Sequence, residues 1–157
     1  MYLKKPIDMK PFSKSLLGLL LCCIAISATA QNNPVKPAQF AGLPQTIQVN
    51  KAILAEALNN QSGRLVQIDF GNGLKFKGTV TSNVQRYANL QIIIIQSIDN
   101  PNQVLQISMI THPDHTIRYS GRIINPQASD GYELKSNAGM YELVKFETDR
   151  VLQDCHF

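Results

Sequence analysis

From Arg64 onward, apolar and polar residues alternate with a period of two. Val66, Ile68 and Phe70 alternate with Gln67 and Asp69, and Leu74, Phe76 and Val80 alternate with Lys75, Lys77 and Thr79. Such alternation turns one face of a strand to a core and the other to water. Gly71-Asn72-Gly73 separates the two runs, and Asn and Gly both accept the positive φ of a tight turn. Residues 64–70 and 74–81 are therefore expected to form a hairpin, with a loop over Ser82–Tyr87 after it. Gly78 marks a bulge or a close backbone approach in the second strand.

The pattern changes at Ala88–Ile98, where Ile92, Ile93, Ile94 and Ile95 follow one another. β-branched side chains are stiff at χ1 and favour strands. A strand apolar on both sides is expected in the middle of a sheet, covered above and below, which would place Ile94 in the interior. Asp99-Asn-Pro-Asn102 turns the chain into a strand over Gln103–Ile110. Thr111–His115 turns it again into Thr116–Ile124, with Ile117, Tyr119 and Ile123 on one face and Arg118, Ser120 and Arg122 on the other. After a loop over Asn125–Gly131, Tyr132–Lys135 and Met140–Phe146 read as a closing hairpin.

The period is helical in one place only. Asn50 is an N-cap residue type, and Ile53, Leu54, Ala57 and Leu58 share one face of a helix over 51–60. Thr46–Val49 before it reads as a short strand. The expected fold is mainly β: an antiparallel curled sheet, sandwich or partly open barrel of seven to eight strands with one N-terminal helix.

The N-terminus follows a different logic. Lys4, Lys5, Lys10 and Lys14 precede an apolar run, Leu16–Ile26, and the small-residue end Ser27-Ala-Thr-Ala30. That is a secretory signal peptide pattern with cleavage after Ala30, and the run is short for a membrane span of about 20 residues. Residues 1–30 are read as the signal peptide, 31–45 as an extended leader and 46–157 as a single β-rich domain. The expected location is exported, periplasmic or extracellular, with no stable membrane span after cleavage. Removing residues 1–30 leaves 11 of the 15 basic and 10 of the 11 acidic side chains, a formal charge of +1. No basic patch remains for a nucleic acid.

Candidate chemistry is sparse. The chain contains no H-E-x-x-H and no G-x-S-x-G, so the common zinc-peptidase and serine-hydrolase signatures are missing; no catalytic residue and no cofactor are assigned. His112 and His115 flank Pro113-Asp114 and are weak metal candidates set against an ordinary solvated turn. Asp69 lies on the polar face of its strand beside a tight turn and Asp130 precedes Gly131 in a loop, both positions typical of turn-flanking carboxylates. Arg118 and Arg122 project to one face and could contact an anion or pair with acids across the sheet. Cys155, next to His156, is the one cysteine beyond the signal peptide. Three fates stand open for it: a tail thiol, a disulfide-linked homodimer, and a zinc ligand offered to a partner.

Phe76-Lys-Gly-Thr-Val80, Ala88-Asn-Leu90, Tyr119-Ser-Gly-Arg-Ile123, Gly131-Tyr-Glu-Leu134 and Tyr141-Glu-Leu-Val144 together resemble the β-rich N-terminal prodomain of bacterial secreted reprolysin-like metallopeptidases, over residues 64–155. The resemblance implies a free-standing chaperone-like or inhibitory module, with Cys155 capping the metal of a zinc peptidase. The residues by themselves support a secreted non-catalytic β-rich binding or accessory module whose partner is a protein or cell-surface component. A carrier of small hydrophobic ligands is the further alternative, resting on strand count.

Overall fold

Residues 35–137 and 139–148 are described by a computed structural model. The elements run β1 (Thr46–Val49), α1 (Lys51–Leu58), β2 (Leu65–Gly71), β3 (Leu74–Tyr87), β4 (Leu90–Ser97), β5 (Val104–Thr111), β6 (Ile117–Ile124), β7 (Asp130–Asn137) and β8 (Met140–Glu147). The fold is mainly β, with one short helix among the described residues, as the alternation predicts. All eight strands join one antiparallel sheet in the order β1-β8-β7-β6-β5-β4-β3-β2. From β2 to β8 the sheet is a simple meander, and β1 then pairs along β8, Ile47 opposite Leu143. The sheet curls into a half-barrel, and its two edge strands, β1 and β2, approach each other with no ladder between them.

The helix lies against β2 and β4. Asn50 caps it: its backbone is extended and its side-chain oxygen accepts the Ala52 N–H at 2.9 Å, which satisfies one of the free donors of the first turn. Leu54, Ala57 and Leu58 are buried in one core cluster with Ile68, Phe70, Ile93, Ile95, Leu105 and Ile107. The helix ends at Leu58, two residues before the expected limit. Asn83 Nδ2 (2.7 Å) and Gln91 Nε2 (3.0 Å) take the Leu58 carbonyl, and Asn60 Nδ2 bonds back to Glu56 and Ala57. Side-chain amides thus replace the next helical turn as partners of the last carbonyls.

Two expectations need correction. Residues 82–87 are strand rather than loop, because β3 continues to Tyr87 and pairs Ser82, Asn83 and Val84 with Ile94, Ile93 and Ile92. Register shifts after Val80 and after Gln85 break the alternation that a sequence pattern can detect. Strand β4 is an inner strand, but only one of its faces is covered. Ile93 and Ile95 are fully buried, whereas Ile92 and Ile94 are half-buried on the convex side. Among the described residues, a single sheet with its helix on the concave side has no second layer to hide the other two isoleucines. Gly78 meets its expected close approach: a Cβ there would collide with the Gln96 carbonyl oxygen and lie 2.8 Å from Ile95 Cγ2.

The segment before β1 is fastened to the sheet. Buried Asp130 accepts the N–H groups of Gln39 at 2.7 Å and Phe40 at 3.0 Å. Lys145 Nζ donates to the carbonyls of Phe40 (2.7 Å) and Leu43 (2.8 Å), and the Tyr132 hydroxyl donates to the carbonyl of Pro44. Phe40 packs on the Tyr132 ring with centroids 5.0 Å apart. Burial, helped by the nearby Asp130 charge, pushes the Tyr132 hydroxyl above its ordinary pKa.

Candidate functional site

A groove of about 390 Å³ runs between α1 and β2. On the helix side it is lined by Ile53, Glu56 and Ala57, three and one residues apart on one stripe of α1, and by Asn60 just past its end. On the other side its wall is the unbroken run Arg64 to Asp69. A groove on a sheet face touches every second residue of a strand; one running along a strand's edge touches every residue. This groove follows the edge of β2.

The hydrogen-bond phase of β2 shows what that edge offers. The Val80 N–H donates to the Arg64 carbonyl at 2.9 Å, with Leu65 opposite Thr79 and Val66 opposite Gly78. In an antiparallel ladder, bonded and non-bonded pairs alternate. Arg64, Val66 and Ile68 therefore turn their backbone N–H and C=O toward β3. Leu65, Gln67 and Asp69 turn theirs away from it, to the free edge. Because β1 and β2 do not pair, and no β1 residue lines the groove, these groups have no strand partner among the described residues. Leu65 is 57% exposed.

Asp69 closes one end of the groove. Its carboxylate accepts the Gly71 N–H at 2.9 Å and lies 3.2 Å from Lys75 Nζ. These two contacts, the backbone bond first, hold its pKa below the usual carboxylate value. The turn beyond it uses Gly71, Asn72 and Gly73 at φ of 88°, 50° and 84°, the left-handed backbone that the Gly-Asn-Gly signal calls for.

The residues singled out by sequence are scattered over the fold. His112 and His115 lie exposed in the β5–β6 turn, where His115 adopts φ 62° and its N–H bonds the His112 carbonyl at 2.9 Å. Between them Asp114 accepts the Thr116 hydroxyl at 2.6 Å and N–H at 3.0 Å, contacts that lower its pKa. Among the described residues, no three His, Cys, Asp or Glu side chains gather where a metal ion could be held. Arg118 and Arg122 share the convex face, and Arg122 stands 3.6 Å from Glu133 on β7. Cys155 lies outside the described residues. No described helix is long and apolar enough to cross a membrane.

Two groups carry structural roles that pattern reading does not assign to them. Asp130 anchors the N-terminal segment, although its place before a glycine suggests a turn. Asn83 and Gln91 cap α1 from another part of the chain and line a second concavity of about 450 Å³ at the helix end. Their amide N–H groups are already committed to the Leu58 and Asn60 carbonyls and to Asn83 Oδ1, so the α1–β2 groove, whose outward backbone has no strand partner among the described residues, is the stronger candidate site.

No protein-family model, curated protein or solved structure matches this chain.

Proposed function

We propose that the protein is an exported, non-catalytic β-rich module that works by binding a protein or cell-surface component through the α1–β2 groove. The observation that carries this reading is an open groove whose wall is a strand edge with backbone donors and acceptors that have no strand partner among the described residues. Buried polar side chains elsewhere, Asp130 and Thr148 among them, serve the protein's own backbone. The signal peptide pattern of residues 1–30 supports export. Inside the core, the space among Leu54, Phe70, Leu105 and Leu143 amounts to about 10 Å³, too small for a hydrophobic ligand. No observation therefore favours the ligand-carrier alternative.

The test is to express the full chain in a secreting bacterial host and recover the exported product. The expected product begins at Gln31 and is retained on whole cells saturably, with excess unlabelled protein displacing it. Turnover of a peptide, ester, glycoside or phosphate substrate that disappears on changing one side chain would make the protein an enzyme and overturn the reading.

A further inference from the structure

From the geometry of the groove we infer that its occupant is an extended peptide segment of another protein, added antiparallel to β2 as a ninth strand. This inference rests on the binding-module reading and names the class of partner.

Three observations converge on it. The backbone groups of Leu65, Gln67 and Asp69 face outward with the two-residue repeat that a paired strand requires. Groove and edge coincide, since Arg64 through Asp69 line it without a gap. The opposite wall is a helix rather than a sheet; part-buried Ile53 is its accessible apolar contact, Ala57 being buried behind it, with Glu56 on the same helix and Asn60 just past its end. A slot walled by a strand edge and a helix admits one chain. Main-chain hydrogen bonds would supply affinity, and the helix would select small apolar side chains at alternate positions of the guest. The rest of the sheet is antiparallel throughout, so an antiparallel guest continues its ladder geometry.

A second copy of this chain is the competing occupant. Its own β2 is flanked by its own α1, and two helix-flanked edges would have to share a slot that one helix already walls. A single peptide strand fits this arrangement better.

The direct probe is the peptide acetyl-(Thr-Val)3-amide, offered to the purified domain with its leader. Gln67→Pro removes one outward donor and leaves the β3-facing groups untouched, whereas Gln67→Ala removes the side chain and keeps the donor. The expected result is saturable binding to the wild type and to Gln67→Ala, weakened at least tenfold in Gln67→Pro. Amide exchange should slow at Leu65, Gln67 and Asp69 when the peptide binds, a readout on the wild-type protein that holds even if the proline variant does not fold. An N-methylated copy of the peptide, with every backbone donor removed, should not bind.

Any of several results overturns the proposal: no binding of the probe at millimolar concentration, equal binding of the N-methylated peptide, or protection that falls on other strands. A concentration-dependent dimer that competes with the peptide would give the edge to a second copy and also overturn it. None of these results touches the whole-cell retention expected of a binding module, so the two readings fail separately.

Discussion

The two flanks of this half-barrel treat exposed backbone in opposite ways. On the β7–β8 flank, the chain ahead of β1 is tied down by buried Asp130, by Lys145 and by the Tyr132 hydroxyl. On the β2 flank, a seven-residue strand has no strand partner for its outward donors and acceptors among the described residues, and a helix lies beside it. Natural sheets usually blunt such edges with charge, prolines, bulges or a covering segment. Here the covering segment was spent on the opposite flank. The difference separates a region built for stability from a region left available.

The largest expected effect destroys the scaffold that both flanks share. Ile95→Asp places an unpaired carboxylate in a fully buried site and should cost about 4 kcal/mol or more, enough to prevent folding. Ile94→Asp, on the convex side, should leave a folded protein and lose about 1 kcal/mol. Urea titration of the two variants checks this; equal damage would mean that the convex face is covered after all.

Next comes the tied flank. Asp130→Ala orphans the N–H groups of Gln39 and Phe40 and should cost about 2–4 kcal/mol. It should also release residues 37–44 to limited proteolysis before the sheet unfolds. The open flank should respond less, and in a residue-by-residue way. Val66→Pro deletes a ladder donor facing β3 and should cost about 1–3 kcal/mol, while Gln67→Pro, one residue on, should stay within about 1 kcal/mol of wild type. Thermal melts that rank these two the other way would reverse the hydrogen-bond phase assigned to β2.

The smallest effect is electrostatic. The folded-state pKa of Asp69 is depressed, so its contribution to stability is present above the unfolded-state carboxylate pKa, near 3.8. It is lost as pH falls through the lower folded value. Asp69→Asn should therefore lower stability slightly at neutral pH and flatten the acid limb of a stability-against-pH curve, the two curves meeting below the folded-state pKa.

Much of this architecture was legible in the residues. The Val66-Ile68-Phe70 alternation and the Gly-Asn-Gly turn announce the first hairpin, and Asn50 with the Leu54-Ala57-Leu58 stripe announces the helix. Ser82–Tyr87 was misleading because two register shifts scramble the alternation, and polar residues there are strand only by virtue of pairing with the isoleucines of β4. The four isoleucines identified the strand but overstated its burial, since periodicity reports what a side chain tolerates and not whether a second layer exists. The groove itself was not legible. It is made of backbone direction at Leu65, Gln67 and Asp69, and main-chain groups leave no mark in a residue pattern. Asp130 was hidden for a related reason: its partners, Gln39 and Phe40, lie some ninety positions away.

The pairing of β1 with β8 sets a timetable for the chain. Thr46–Val49 finds its partners at Tyr141–Val144, so the first strand to be synthesised has nothing to pair with until nearly the last is made. Closing so long a loop is entropically slow. The meander from β2 to β8 can zip up through neighbours in order, with β1 and the residues ahead of it waiting to be captured last. A nascent chain interrupted before residue 140 would lack β8 and leave β1 unpaired however well its middle had folded. Arrest at successive lengths should show that capture as a late, single step.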